Sequence, residues 1–141
     1  MKFEYAFLSF PQEPSGYRAV TQTDGILLLF IDGAEFLQLE DILILEFACY
    51  VNSWLENALA NDTRSFYFRS IDEEEEPLLA FDRTKNGSFR ARSCWSDATS
   101  RELSSSEVED CFFDFLASLR NRLQNDFHYN FDDALRSFRV G

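Results

Sequence analysis

The spacing of hydrophobic and polar positions changes several times along the chain, and each change marks an element. Phe3, Tyr5 and Phe7 share one face at a spacing of two, so 3–10 reads as a strand, ended by Pro11, Pro14 and Gly16. Gly25 introduces an unbroken apolar run from Ile26 to Ile31, the pattern of a strand covered on both faces. Asp32-Gly33 then supplies the positive-φ pair that a type I′ hairpin turn requires, with a short return strand over 34–38.

Over 39–60 the period becomes helical. Ile44, Phe47, Ala48, Val51, Leu55, Ala58 and Leu59 form one stripe, and Leu43, Tyr50 and Trp54 form a second beside it, so this helix is expected to be buried on more than one side. The spacing puts Glu40 and Asp41 in its first turn, where carboxylates complement the helix dipole, and Asn61-Asp62 at its end. Alternation returns over 65–71. Residues 78–82 and 88–95 read as hairpin arms around Lys85-Asn86-Gly87, with Phe89, Ala91 and Trp95 on one face and Arg90 and Arg92 on the other. Residues 96–106 are rich in Ser, Thr and Asp and read as loop. Ser106 with Glu109 fits a capping box that opens a second long helix, whose apolar stripe runs from Val108 to Leu123. A short terminal helix over 131–138 is capped from Asn130. The expectation is a single α+β domain over 1–141: a curved antiparallel sheet of about six strands packed against two long helices, with a short C-terminal helix.

Composition sharpens this picture. Of 141 residues 45% are hydrophobic and 16 are Phe against one Met, so the core is built from rings. There are 25 acidic residues against 13 basic, a net charge of −12, which excludes a nucleic-acid binder held by bulk phosphate attraction. The excess is confined to one part of the chain: 16 acids against 4 bases over 1–82, and 9 against 9 over 83–141. Asp72, Glu73, Glu74, Glu75 and Glu76 follow one another without interruption, and Arg83, Lys85, Arg90 and Arg92 come directly afterwards. Such a run is either a solvated loop neutralised by its neighbouring strand or a recognition surface, since a field of one sign speeds encounter with an oppositely charged partner. The second reading makes Asp72 to Glu76, together with Glu40 and Asp41, a partner-facing patch for a protein with a basic surface.

Parts for covalent chemistry are scarce. His128 is the one histidine, and with Cys49, Cys94 and Cys111 scattered it makes no spaced ligand set for a transition metal. A Cys94–His128 nucleophilic pair would require the two to meet in space. The acidic run lacks the Gly-interrupted alternation that wraps acids around Ca²⁺ or Mg²⁺. No phosphate-binding loop, dinucleotide fingerprint or nucleophile elbow occurs. Glu4, Glu46 and Asp114 sit among aromatics and are the acids best placed for a raised proton affinity. Of the aromatics suited to anchoring a partner (Tyr17, Trp54, Tyr67 and Trp95), core packing is expected to claim most. No catalytic residue, metal or cofactor is therefore expected. The N-terminus has no export-signal pattern, the longest apolar run is six residues, and three unpaired cysteines suit a reducing cytosol. The acceptor-like triplets at 61–63 and 86–88 then carry no glycan.

The segments 25–33, 39–59, 65–68, 77–81 and 107–119, in that order, resemble the immunity proteins of polymorphic toxin systems, and equally an uncharacterised bacterial domain family with the same element order. The resemblance is one of fold pattern. It implies a protein without catalysis, whose acidic face binds and blocks a cognate toxin. Two other classes stay open: a nucleic-acid-mimic inhibitor or general interaction protein, and a small enzyme or ligand-binding domain using a carboxylate in a Phe-lined pocket.

Overall fold

The first strand, β1 (Lys2–Phe7), pairs antiparallel with β2 (Asp24–Ile31), and β2 pairs with β3 (Ala34–Leu43). The computed structural model describes residues 1–61 and 64–140. The Asp32-Gly33 turn is formed as expected, with φ of 54° and 79°. Between β1 and β2 lies α1 (Gly16–Thr21), a short helix where the sequence reads as loop; its Ala19 and Val20 are fully buried.

The return strand is longer than the sequence suggests. β3 continues to Leu43 because Leu39 pairs with Leu27, Ile42 with Gly25 and Leu43 with Asp24. The ladder shifts register between Gly25 and Leu27, and Asp41 takes a φ of 55° there. Glu40 and Asp41 are therefore on a strand and not in the first turn of a helix. The helix α2 (Ile44–Leu59) begins three residues after Asp41, with Glu46 in its first turn. It has no side-chain cap; the Ile44 amide instead donates to the Thr23 carbonyl at 3.1 Å, so the preceding strand satisfies one of its orphan donors. Residues from Ile44 through Cys49 are all buried, as expected of a helix apolar on more than one side. The expected stop at Asn61-Asp62 and the triplet at 61–63 fall partly on residues 62 and 63, outside the described ones.

The remaining strands, β4 (Phe66–Phe68), β5 (Leu79–Arg83) and β6 (Phe89–Arg92), form a second antiparallel sheet in that order. The six strands are thus divided into two three-stranded sheets, not one continuous sheet. β6 stops at Arg92, so Trp95 lies in the following turn. Leu103 pairs with Phe89 through backbone bonds of 2.7 and 2.8 Å, which delivers the chain to α3 (Ser105–Phe127). The capping box is Ser104 with Glu107, two residues earlier than Ser106 with Glu109. Arg101 selects it: the guanidinium bonds Glu107 at 2.8 Å and Asp32 of the β2–β3 turn at 2.8 and 2.9 Å. That pairing holds the Glu107 carboxyl down at about 2. Asn130 caps α4 (Phe131–Ser137) as expected.

Rings join the two sheets. Phe112 of α3 lies within 5.0–6.0 Å of Phe66, Trp54, Phe81 and Phe3, which come from β4, α2, β5 and β1. Phe47 of α2 meets Phe3, Phe66, Phe68 and Phe115 at 5.1–6.0 Å. Most of these pairs are edge-on, the arrangement that ring quadrupoles favour. At the open end Phe10 stacks on Phe127 at 4.0 Å.

Two substitutions test this packing by urea unfolding. Phe112→Ala is expected to cost about 3–5 kcal/mol, the usual range for emptying a ring-sized site. A Cβ on Gly25 would sit 2.4 Å from the Ala6 carbonyl and 2.7 Å from Ile44 Cγ1. Gly25→Ala is therefore expected to cost about 1–3 kcal/mol by forcing β1, β2 and α2 apart.

Candidate functional site

The acidic run occupies the connection between β4 and β5, and its two ends are tied down. At the near end, the Ile71 amide donates to Glu46 Oε2 at 3.1 Å, the Asp72 amide to Ser70 Oγ at 3.2 Å and the Glu73 amide to the Ser70 carbonyl at 3.3 Å. At the far end, the Cys94 amide donates to the Pro77 carbonyl at 2.8 Å and the Leu78 amide to the Phe68 carbonyl at 2.9 Å. Asp72, Glu74, Glu75 and Glu76 are exposed and Glu73 is half-buried. The run is thus a fixed protrusion whose charge points outward.

Its surroundings are not uniformly acidic. Tyr67 donates its hydroxyl to Glu76 Oε1 at 3.1 Å, and the Arg69 guanidinium lies 4.0 Å from Glu76 Oε2. Arg92 bonds Asp82 on the same sheet face. The neutralising cations therefore hold Asp82 and Glu76, the edge of the patch. Tyr67, 42% exposed, and Ile71, 52% exposed, border the run, and Trp95, 38% exposed, follows Cys94, whose amide bonds the end of the run at Pro77. Of the four aromatics weighed as anchors, only Trp54 is in the core, where its Nε1 donates to the Arg64 carbonyl at 2.6 Å; Tyr17, Tyr67 and Trp95 face solvent. The alternation that put Trp95 with Phe89 and Ala91 fails because β6 ends before it.

Glu40 and Asp41 are exposed on β3, and among the described residues no hydrogen bond or ion pair joins them to 72–76. Glu40 accepts from Gln38 Nε2 at 2.8 Å. The carboxylate that does meet the loop is Glu46. It is fully buried, its second oxygen has no hydrogen-bond partner, and burial raises its proton affinity above the ordinary 4.5, with Asp72 adding to the rise while Ser70 and Ile71 oppose it. Position in a helix stripe gave no sign that Glu46 would reach Ile71, 25 residues away in sequence. Glu4 and Asp114, the other acids among aromatics, are exposed.

Cys94 sits beside the run. Its thiol is pushed upward by burial and by Glu75, Glu73 and Glu76, so it stays protonated and a poor nucleophile. His128 is exposed at the C-terminal end of α3 with a φ of 51°, and no bond links it to Cys94 among the described residues. Cys49 and Cys111 are buried, with thiols pushed up to about 12 by burial. Among the described residues no three His, Cys, Asp or Glu side chains gather as a metal ion would need. Among the described residues no helix is long and apolar enough to cross a membrane.

A family model described as a domain of unknown function, DUF7878, matches residues 3–125. The chain belongs to this family. The match takes in both sheets, α2 and nearly all of α3, and ends before α4. No curated protein and no solved structure matches the chain.

Glu46 gives this DUF7878 domain a testable pH signature. Because the folded state binds the proton more tightly than the unfolded chain, the contribution of Glu46 to stability declines as pH rises from 4.5 through the raised folded value, and then levels off. Glu46→Gln keeps an acceptor for the Ile71 amide and cannot ionise. Relative to the parent, the variant is expected to gain stability progressively between pH 4.5 and neutrality, read from urea midpoints at each pH. Parallel pH profiles for the two proteins would remove the buried charge from the account.

Proposed function

We propose that this protein is a non-enzymatic binding protein, an immunity protein that neutralises a cognate bacterial toxin in the cytoplasm by covering a basic surface on it. The observation that carries the reading is the five-acid run at 72–76, held at both ends and bordered by exposed Tyr67 and Ile71, with exposed Trp95 following Cys94. A nuclease has to attract a polyanion, so its cleft is basic. A rigid acidic protrusion can enter such a cleft, and aromatic side chains at its margin supply desolvated contacts that slow release. The resemblance of the element order to immunity proteins agrees with this. The three free cysteines are compatible with a reducing compartment.

The other readings have less to draw on. A nucleic-acid mimic distributes its acids along an extended surface, whereas here five cluster on one turn. Of the acids weighed for a carboxylate pocket, Glu46 is fully covered beneath Ile71, and Asp114, which lines an open hollow with Phe3, Tyr5 and Phe115, is exposed to solvent.

The direct test is to express the basic catalytic domain encoded by a reading frame flanking the gene and to follow growth with and without this protein. Restored growth and a stoichiometric complex are expected; arrest that the protein does not relieve overturns the reading. With that pair in hand, reversing Glu73, Glu74 and Glu75 to Lys is expected to slow association roughly tenfold at low ionic strength, with the difference shrinking as salt rises and with the urea midpoint little changed. Trp95→Ala is expected to act on dissociation, raising its rate about tenfold with the association rate unchanged.

A further inference from the structure

The strand β2 has the composition of a strand buried on both faces, and the fold covers only one of them. Gly25, Leu27, Leu29 and Ile31 point into the core beneath α2 and α3. The opposite face carries Ile26, Leu28 and Phe30, all apolar, where an antiparallel sheet with one wet face places polar residues. These three are half-buried, and their shielding comes from the flanking strands, which pair Lys2 with Phe30, Glu4 with Leu28 and Ala6 with Ile26 on one side and Gln38 with Leu28 on the other. Phe30 takes no part in the ring contacts that unite the core among the described residues. Ile26, Leu28 and Phe30 line up at alternate positions on the central strand as a short apolar row, each partly open to solvent.

The charges around the patch select its occupant. Glu4 is paired with Lys2 at 2.9 Å, while Glu35 and Glu40 are exposed and bond no cation among the described residues. A second copy would bring the same acids and another net charge of −12 against this face, and a phosphate surface would be repelled in the same way. We infer that the outer face of β1–β2–β3 docks a protein that presents an apolar ridge flanked by Lys or Arg side chains. Ile26, Leu28 and Phe30 receive the ridge, and Glu35 and Glu40 receive the cations. This surface rests on the reading of the chain as a binder of a basic protein, and adds to it a second contact region away from the loop. It also gives Glu40 a role in recognition without any link to 72–76.

Photo-crosslinking in the native host tests this with the full chain. A benzophenone amino acid is placed at Phe30, where it replaces a ring with a ring, and separately at Glu74 and at Phe113, an exposed ring on α3. Adducts are identified by mass spectrometry and the isoelectric point of each partner is read from its sequence. A basic partner captured from position 30, absent at 113, and reduced about tenfold by Glu35→Lys with Glu40→Lys supports the proposal. The same partner captured from 74 and not from 30 removes this face while leaving the acidic loop as the interface. No basic adduct at either position removes both. An adduct at 30 that is a dimer of this chain, or an acidic protein, also overturns the assignment. Far-ultraviolet circular dichroism and a urea midpoint close to the parent's establish that each labelled protein is folded, and labelling at Ile26 repeats the measurement should position 30 not accept the probe.

Discussion

Among the described residues no backbone hydrogen bond joins the two sheets, and ring packing links them. Phe112 and Phe47, one from each long helix, touch rings from both sheets, so their interlocking is central to holding the two sets of strands at a fixed relation. Phenylalanine suits this task because it buries a large area with only two rotatable side-chain bonds and no polar atom to satisfy. A core so constituted is dense and shape-specific, which makes it intolerant of lost volume. The abundance of Phe and near absence of Met in the sequence therefore have a structural consequence: the positions of the surface features are set by a framework with little adaptability.

The acidic loop inherits that rigidity through one buried group. Glu46 stands at the start of α2, in the same turn as the core residue Phe47, and accepts the amide of Ile71 at the root of the run. A carboxylate taken out of water is costly unless its oxygens are bonded, and here one oxygen is bonded and the other is not. An amide donor served by Gln would not carry that cost, so Glu at this position gives up stability. The benefit lies in position: the root of the loop is fixed to the helix, and five like charges that would otherwise spread apart are held on one turn. Fixing them in advance lowers the ordering cost at binding, which is where preorganised surfaces gain affinity.

Element types were legible from the sequence because local spacing and tertiary burial agree over most of the chain. The stripe from Val108 to Leu123, the Asp32-Gly33 turn and the Asn130 cap are settled by interactions within a few residues, and the structure has all three. Where the decision was made at long range, the sequence misled. Leu39 to Leu43 satisfies a helical period, yet pairing with β2 keeps it a strand, which moved Glu40 and Asp41 off the helix. Three consecutive serines offered alternative caps, and the choice of Ser104 follows from Arg101 bridging Glu107 to Asp32, 69 residues from it in sequence. The exposed acidic run was visible as charge, but its attachment to Glu46 and the company of Tyr67, Ile71 and Trp95 depend on how distant segments meet. The division into two sheets likewise follows from which strands pair, something that the spacing of apolar residues does not encode.

Charge and apolar surface do different work in association, and the distribution of each along this chain reflects that. The excess charge lies entirely in 1–82, the part that builds the first sheet, α1, α2, β4, the acidic loop and most of β5, and its densest exposed part is the run at 72–76, where a cationic partner meets an attractive field. Attraction of this kind reaches about 10 Å in 0.1 M salt and accelerates encounter, but exposed charges add little to the lifetime of the complex. Lifetime comes from apolar groups that lose water, and some of these lie near the charge: exposed Tyr67 and Ile71 beside the run, and half-buried Ile26, Leu28 and Phe30 on the outer sheet face, while exposed Phe113 lies away from it on α3. A partner steered by the field would therefore arrive where desolvation can hold it. An acidic composition adopted only for solubility would need no such coincidence, because charge scattered over the whole surface keeps a protein monomeric equally well.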